Sequence, residues 1–310
     1  MDTATQVQES WWEATKHFEF KVGVTPFTQP WFIAMSMILY LAGLYFGTKY
    51  MENRPAYKLR MFTAIHNFIL CGLSFVMAAG MLYEVWIRPI PEEAHRSWAK
   101  YAVCAPRGSP MVGRLYWWCY VYHLSKWYEL IDSFIIVLKK SQKGLTFLHV
   151  LHHSGMMMMV VSWFAANFNT VWFPCAFNSI VHVVMYLYYG MSSLGHRWRL
   201  RHYITTFQLV QFSSGAVYFA LYIPGRLFFG TDCSGNLFIM SIGCLVDLYF
   251  FYLFYDFYQT EYKLKKKLAS QAAARQAASL AEQGQASPVP PSPSVFASPL
   301  MSPSPHIAPM

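Results

Sequence analysis

The sequence predicts an all-α, polytopic membrane protein, and three of its features lead to that prediction. Of its 310 residues, 55% are hydrophobic and only 13% are charged, whereas a soluble globular chain is about 25% charged. The apolar residues form long runs rather than short alternating ones, which favours helices over a membrane barrel of strands. The basic residues are concentrated in alternate loops. These features exclude a disordered chain, a disulfide-stapled secreted module and an ordinary cytosolic enzyme.

Seven segments are long enough, at about 1.5 Å per residue, to cross a hydrocarbon core of about 30 Å. They are residues 31–48, 61–84, 114–138, 147–166, 171–190, 203–223 and 236–258. Residues 1–30 have no basic start followed by an apolar stretch, so we expect no cleavable signal peptide. The predicted domains are therefore a lumenal segment over 1–30, a seven-helix domain over 31–262 and a cytosolic tail over 263–310.

The distribution of basic residues predicts the orientation. With a lumenal N-terminus, 15 of the 24 Lys and Arg residues fall on the cytosolic side, eight fall on the opposite side and one lies within the third span. Cytosolic loops of membrane proteins carry such an excess, so we predict a cytosolic C-terminus. Topology accounts for the net charge of +9 without a nucleic acid partner. The tail is expected to begin as an Ala-rich helix over 263–283 and to be disordered over 283–310, where Pro and Ser dominate.

Four of the six cysteines lie within spans, where they are expected to be small buried hydrophobic residues. Cys104 and Cys233 lie in two loops that the topology places on the same, non-cytosolic side. An oxidising lumen favours disulfides, so these two are predicted to pair. The alternative is two free loop thiols.

The third span carries Lys126, Glu129 and Asp132 at intervals of three residues, which makes them neighbours on a helix. Ionisable groups at membrane depth are costly and usually face a cavity or a partner. Two interpretations stay open for Glu129 and Asp132, namely an internal ion-pair network that fixes helix packing and a functional role. Lys126 is predicted to reach a ligand.

The fourth span opens with HVLHH, which places His149, His152 and His153 on one broad helical face. Packing explains three histidines in five residues poorly, so we predict a functional site here. The fifth span adds Asn178 and His182, one helical turn apart. Thr205, Gln208 and Gln211 follow on the sixth span at similar intervals, with interhelical hydrogen bonding as their alternative role.

Neutral imidazoles either bind a metal or act as nucleophile and general acid or base. Membrane desaturases build di-iron sites from several histidine clusters, but this chain has one such cluster, and His66 and His123 stand alone. A single zinc site stays an alternative, although no metal or other cofactor is predicted. A transporter is a further alternative for intramembrane charges, but no internal repeat or pair of broken helices supports it.

Four motifs occur in order: KWYELIDS at 126–133, FLHVLHH at 147–153, NSIVHVVMYLYY at 178–189 and TTFQLVQF at 205–212. In these motifs the chain resembles the ELO family of very-long-chain fatty acid elongases, over roughly residues 30–265. Two departures stand out. Gly144 lies where the family often has Gln, five residues before the first His, and Ser133 replaces the commoner Thr.

The resemblance implies a 3-ketoacyl-CoA synthase of the endoplasmic reticulum membrane. Such an enzyme joins a long acyl-CoA to malonyl-CoA, adds two carbons and releases CO2 and CoA. The resemblance also implies that six of the seven helices form an inverted barrel around an acyl tunnel, with no metal in the mechanism. The implied partners are the lipid bilayer, both CoA substrates, and the reductases and dehydratase of the elongation cycle. A homodimer is left open.

By match to the motifs, His152 is predicted to be the nucleophile that carries the acyl group as an acyl-imidazole. His182, Asn178 and His149 are the candidates that stabilise the enolate formed from malonyl-CoA. His153 is expected to orient or tune its neighbours.

The anionic CoA moiety is expected at the cytosolic mouth of the site, where cationic side chains bind phosphates. The candidates there are Lys139, Lys140, Lys143 and Arg201, with the topological charge bias alone as the alternative. The resemblance adds Lys126, Thr205, Gln208 and Tyr188 as CoA or substrate contacts, and Gln211 joins Glu129 and Asp132 in the predicted structural network. The four methionines at 156–159 are flexible enough to line the tunnel, but they span a full turn, so some must face elsewhere.

Overall fold

A computed structural model describes residues 11–87, 104–141, 144–196, 198 and 201–282. Seven helices of 19 to 28 residues coincide with the seven predicted spans. They are α1 (Pro30–Glu52), α2 (Arg60–Ile87), α3 (Arg114–Leu138), α4 (Phe147–Ala165), α5 (Trp172–Ser193), α6 (Arg201–Phe228) and α7 (Leu237–Tyr258). Across the described ranges extended pairing is limited to two isolated bridges, Glu19 with Val112 and Pro106 with Cys233. The all-α class is confirmed.

Four stretches of helix are apolar and long enough to cross a membrane, at Pro30–Glu52, Arg60–Trp86, Asn169–Ser193 and Leu237–Ser279. The other three long helices, α3, α4 and α6, carry much of the polar motif chemistry, which lowers their apolar content. The fold is therefore compatible with a multi-pass membrane protein, while the count of seven spans stays a prediction.

Six helices contact one another in a closed ring. Around the ring α2 packs on α3, α3 on α4, α4 on α7, α7 on α6, α6 on α5, and α5 on α2. The remaining helix, α1, contacts α3 and α4 from outside the ring. This order brings the four motif-bearing helices, α3 to α6, around a common interior. The inverted barrel with its acyl tunnel stays a prediction.

Helix starts follow local sequence signals. The Thr146 hydroxyl accepts a hydrogen bond from the His149 backbone N–H at 3.2 Å, which caps α4 and orients the turn that carries the histidines. Asn236 caps α7 in the same way through the Ile239 N–H. Pro30 occupies the first turn of α1, where its missing N–H costs nothing.

Helix ends follow local signals less closely. We expected the sixth span to end at residue 223, but α6 continues through Pro224 to Phe228. A proline removes one backbone hydrogen bond and clashes with the preceding turn, and here the helix continues for a further turn regardless. Beyond α7 the chain runs through a π-helical segment, Gln259–Leu264, into helix α8, Lys265–Glu282. This last helix is the Ala-rich one that was predicted.

The predicted disulfide is present between Cys104 and Cys233, with Cα atoms 4.8 Å apart. It ties the loop before α3 to the loop between α6 and α7. The Ser234 N–H donates to the Ala105 carbonyl at 2.6 Å beside it. The predicted disorder over 283–310 lies outside the described residues, and the proposed domain limits stay predictions.

Candidate active site

The histidines of α4 form a buried cluster. His149, His152 and His153 are all at most 5% exposed. The ring centroids of His149 and His153 lie 4.4 Å apart, and those of His152 and His153 lie 5.7 Å apart. His182 of α5 is also buried. The structure therefore brings the four imidazoles that the motifs singled out into one interior region, drawn from two helices.

A buried ion pair lies beside this cluster. The Lys126 ammonium donates to the Glu129 carboxylate at 2.7 Å, and these side chains are only 2% and 1% exposed. The same carboxylate lies 3.4 Å from His182 Nδ1. Lys126 also sits 4.2 Å above the centre of the Tyr122 ring, a cation–π contact. The prediction that Lys126 and Glu129 are neighbours is confirmed. The contact of Glu129 with His182 links α3 to α5.

Asn178 of α5 is held by side chains from two other helices, α3 and α6. Its Oδ1 accepts from the Tyr122 hydroxyl at 2.8 Å and from Lys126 at 3.2 Å, and its Nδ2 donates to Gln211 Oε1 at 3.2 Å. Sequence reasoning missed Tyr122. The available signal was its position one turn before Lys126, which places both residues on the same face of α3.

Asp132 belongs to a different network from Glu129. Its carboxylate contacts His66 Nε2 at 2.8 Å and accepts from the Tyr186 hydroxyl at 2.8 Å. His66, which stood alone in the sequence, therefore pairs with α3 from α2. These are the contacts that a network for helix packing makes, although the role itself stays a prediction.

A further chain of hydrogen bonds reaches His149. Its Nε2 lies 2.8 Å from the Ser133 hydroxyl, which lies 2.8 Å from the Tyr40 hydroxyl of α1. A serine in place of the commoner threonine therefore keeps the hydroxyl that contacts His149. The helix outside the ring contributes to the site through Tyr40, another residue that sequence reasoning did not single out.

A mostly apolar cavity of about 60 Å³ reaches His152. Among the predicted catalytic residues, His152 and Asn178 line it, while His149 and His182 bond to Ser133 and Glu129 instead. The Nδ1 atom of His152 is buried and has no hydrogen-bond partner. Four of the five predicted catalytic residues therefore divide between the cavity wall and the polar network behind it, and His153 packs its ring near those of His149 and His152.

One face of α4 forms a wall of the cavity. The residues His152, Met156, Met159 and Trp163 line it at intervals of four, three and four, which is the repeat of a single helical face. They extend about 16 Å along the helix axis at the standard rise. Met158 instead is 51% exposed, as expected for four consecutive residues that span a full turn.

The predicted contacts on α5 and α6 lie around the end of the ring that the predicted topology makes cytosolic. Thr205 and Gln208 are buried, and Gln208 Nε2 lies 3.7 Å from the Met185 sulfur. The Thr205 hydroxyl lies 3.4 Å from the Tyr262 hydroxyl of the π-helical segment. Tyr188 is half-buried and packs in the small cluster around Leu70 and Met185.

The basic candidates lie at the ends of α3 and α6. Lys139 follows the last residue of α3, and burial lowers the pKa of its ammonium group. Lys140 donates to the Glu52 carbonyl at 2.9 Å. Arg201, the first residue of α6, lies 3.9 Å from the Glu261 carboxylate. Lys143 lies outside the described residues.

Within the described ranges, no group of three or more His, Cys, Asp and Glu side chains has the geometry of a metal site. The zinc alternative therefore gains no support from the arrangement of the histidines. All four histidines contact another histidine or a protein hydrogen-bond partner directly.

Fold and site together define a polytopic helical protein with a histidine-rich site buried inside a ring of six helices. Comparison with known proteins gives the family. The sequence model of the ELO (GNS1/SUR4) family matches residues 25–270, so the chain belongs to this family. The resemblance seen in the four motifs is confirmed.

Individual relatives cover most of the chain. Fatty acid elongase sre1 of Dictyostelium discoideum is 31% identical over 250 residues, which are 80% of this chain and 90% of that protein. Fatty acid elongase A of the same organism is 33% identical over 257 residues, with 81% and 90% covered. Very long chain fatty acid elongase 7 of Rattus norvegicus is 31% identical over 235 residues, with 72% and 78% covered.

Proposed function

We propose that this protein is the condensing enzyme of fatty acid elongation, a 3-oxoacyl-CoA synthase that joins a long-chain acyl-CoA to malonyl-CoA. Family membership and relatives named fatty acid elongases support the role in elongation. The observation that carries the chemistry is the position of His152, a buried imidazole in the wall of an apolar cavity beside the Lys126–Glu129 pair. The proposed location is the endoplasmic reticulum membrane, with a lumenal N-terminus and a cytosolic C-terminus.

The first step transfers the acyl group to His152. The imidazole lone pair attacks the thioester carbonyl, a C–N bond forms, and the C–S bond breaks. The CoA thiolate leaves and takes the ring proton, so CoA departs as the thiol and a neutral acyl-imidazole remains. Splitting the condensation in this way replaces one difficult step by two easier ones.

The second step forms the new carbon–carbon bond. Malonyl-CoA loses CO2, and the resulting enolate carbon attacks the acyl-imidazole carbonyl. The C–N bond then breaks, 3-oxoacyl-CoA is released, and the imidazole takes up one proton, as the overall reaction requires. Asn178 lines the cavity and Lys126 donates to its side chain, and hydrogen bonds or positive charge aimed at the enolate oxygen lower its energy. His149 and His182 support this arrangement from the networks behind the wall.

Burial protects the intermediate. An acyl-imidazole hydrolyses readily, and closing a site against water prevents such side reactions. His152 is 5% exposed, and the Phe250 ring packs 5.5 Å from its ring. This burial supports the proposal, because little water would reach an acyl group carried by the His152 ring.

In this proposal the six-helix ring is the barrel and the cavity along α4 is its acyl tunnel. The cavity is narrow, so a bound chain would displace side chains from it. Met156 and Met159 line it and are suited to this, because methionine has three rotatable bonds and adapts its shape. The CoA phosphates would remain at the cytosolic mouth, near Lys139, Lys140 and Arg201.

The proposal is tested with the full-length protein purified in lipid nanodiscs. Wild type incubated with acyl-CoA alone should gain one acyl group on the peptide that contains His152, and malonyl-CoA should convert it to 3-oxoacyl-CoA detectable by mass spectrometry. The His152→Ala variant should do neither. His123→Ala is the matched control, because His123 is equally buried but contacts the Phe27 carbonyl away from the cavity.

Two results would contradict the proposal. Condensation by His152→Ala at close to the wild-type rate would remove the nucleophile assignment. Tightly bound iron or zinc in the active preparation, with activity lost on its removal, would favour the metal alternative.

A further inference from the structure

One carboxyl group at the cavity has no part in the mechanism above. Asp247 lies on α7 and lines the same cavity as His152. Its Oδ2 atom is buried and has no hydrogen-bond partner. A polar group left unpaired away from water is costly, and an ionisable residue within a membrane helix usually faces a cavity or a partner. Helix packing alone therefore leaves Asp247 unexplained.

A second unpaired polar group lies on the facing helix. Trp163 of α4 lines the cavity as well, and its indole Nε1 is buried without an acceptor. The indole reaches α7 at Gly243, where an added Cβ atom would lie 3.3 Å from Nε1. Gly243 precedes Asp247 by four residues, which makes the two positions neighbours on one helical face. A hydrogen-bond donor and a carboxyl group thus approach the same part of the cavity wall.

The space around the carboxyl group depends on a glycine of α6. An added Cβ atom at Gly215 would lie 2.8 Å from Asp247 Oδ1, closer than real Cβ atoms come to such an atom. Gly215 also lines the cavity. The absence of a side chain at this position therefore leaves room for the carboxyl group beside the cavity.

The position of Asp247 relative to His152 shows which part of a substrate it would meet. Phe250 packs its ring against the His152 ring, and Asp247 precedes Phe250 by three residues, about 4.5 Å along the helix axis. A chain attached to His152 and lying in the cavity would therefore pass Asp247 a few bonds beyond the reacting carbonyl.

We propose that Asp247, together with Trp163, is a specificity-determining residue that binds a hydroxyl group on the acyl chain. A hydroxyl is the smallest group that accepts from the indole N–H and donates to the carboxylate at the same time, so it satisfies both unpaired groups. The preferred substrate class is thus a hydroxyacyl-CoA. This inference rests on the proposed function and names the substrate class of the same site.

An unsubstituted chain would leave both groups unpaired when it fills the cavity. Sites built to hydrogen-bond a substrate hydroxyl discriminate against the analogue that lacks it, here by about tenfold or more in kcat/KM. A double bond offers no comparable donor, so unsaturation alone would not satisfy the carboxylate.

The test compares acyl-CoA substrates of equal length on the wild-type protein, without a hydroxyl and with one hydroxyl moved carbon by carbon along the first half of the chain. At one position the hydroxylated chain should be preferred about tenfold in kcat/KM. The quantity compared is the ratio of kcat/KM for the hydroxylated chain to kcat/KM for the unsubstituted chain. In Asp247→Leu this ratio should fall to about one. Asp247→Asn can still donate and accept, so it should keep part of the preference. Because the ratio compares two substrates on the same protein, a smaller folded fraction lowers both rates equally and leaves the ratio unchanged.

Two further variants test the geometry. Trp163→Phe removes the N–H together with part of the ring, and Gly215→Ala crowds the carboxyl group while retaining it. Both variants should lower the ratio. If Asp247→Leu is inactive on the hydroxylated and the unsubstituted substrate alike, these two variants provide the test of the hydroxyl site. A wild-type ratio of one or below at every position would overturn the inference, as would a ratio that survives in all four variants.

The outcome also separates this inference from the function on which it rests. A wild-type protein that condenses both kinds of chain equally would retain the proposed function and lose the role of Asp247. A wild-type protein that condenses neither would remove the proposed function itself.

Discussion

The buried pair of Lys126 and Glu129 offers a test that separates stability from catalysis. The perturbation is a set of three variants: Lys126→Met, Glu129→Gln and the double variant. Each single change leaves one charge without its counter-charge, in a region where both side chains are almost fully buried. The double change replaces both charged groups with neutral ones of similar size.

The distance gives the size of the effect. Two unit charges separated by the 2.7 Å between Lys126 Nζ and Glu129 Oε1 attract with about 6 kcal/mol at an effective dielectric constant of about 20. Desolvation of both groups offsets much of this attraction. Removing one partner of a buried pair typically costs about 3–5 kcal/mol, whereas replacing both is often nearly neutral. We therefore expect each single variant to be clearly less stable than the double variant.

The assay is thermal unfolding of the purified protein, followed by intrinsic tryptophan fluorescence, alongside the condensation rate. The single variants should unfold at temperatures lower by on the order of 10 °C, and the double variant should recover most of this loss. Condensation should stay impaired in Lys126→Met and in the double variant, because both lack the ammonium group that donates to Asn178 at the cavity wall. Recovery of stability without recovery of activity is the expected signature.

Two results would refute this reasoning. If Lys126→Met were as stable as wild type, Glu129 would have another counter-charge or would tolerate isolation. If the double variant were as active as wild type, the ammonium group would have no role at the site, and the proposed contribution of Lys126 to enolate stabilisation would be wrong.

Three further predictions follow from the structure. Replacing Lys139 and Lys140 by Ala should raise the KM for acyl-CoA several-fold and weaken its dependence on salt, because half-buried cations at the mouth of the site bind phosphates through partly screened charge; an unchanged KM would favour a purely topological role. Tyr122→Phe should lower the condensation rate by roughly tenfold or less, because one hydrogen bond to the Asn178 amide, worth about 1 kcal/mol, is lost; an unchanged rate would place that amide outside the reaction. Cys104→Ser should reduce stability by about 2–5 kcal/mol through loss of the disulfide, with little change in the KM for acyl-CoA; equal melting temperatures before and after reduction of the wild type would contradict this.

Much of the fold was accessible from local patterns. The long apolar runs marked the seven helices to within a few residues at most ends, because a helix that spans a bilayer needs a nearly continuous apolar sequence. The pairing of Lys126 with Glu129 followed from their spacing, since residues three apart on a helix must be neighbours. The disulfide followed from the predicted topology, which places both cysteines on the same, non-cytosolic side.

Contacts between helices were not accessible in this way. Nothing near His66 in the sequence indicates Asp132, which it contacts from another helix. The same holds for Tyr40, which reaches His149 through Ser133 from a helix outside the ring. Such contacts depend on which helices adjoin and on how each is rotated about its axis, and one sequence does not specify either.

The histidine cluster illustrates both what the sequence determined and what only the packing of helices determined. Spacing along α4 was enough to predict that His149, His152 and His153 share a broad face, because the helical repeat sets the angle between residues of one helix. Only packing against α3 and α7 turned His152 toward the cavity and His149 toward Ser133. The unpaired carboxyl group of Asp247 was likewise identified only from the tertiary structure, because the cavity that it lines is formed by side chains from several helices.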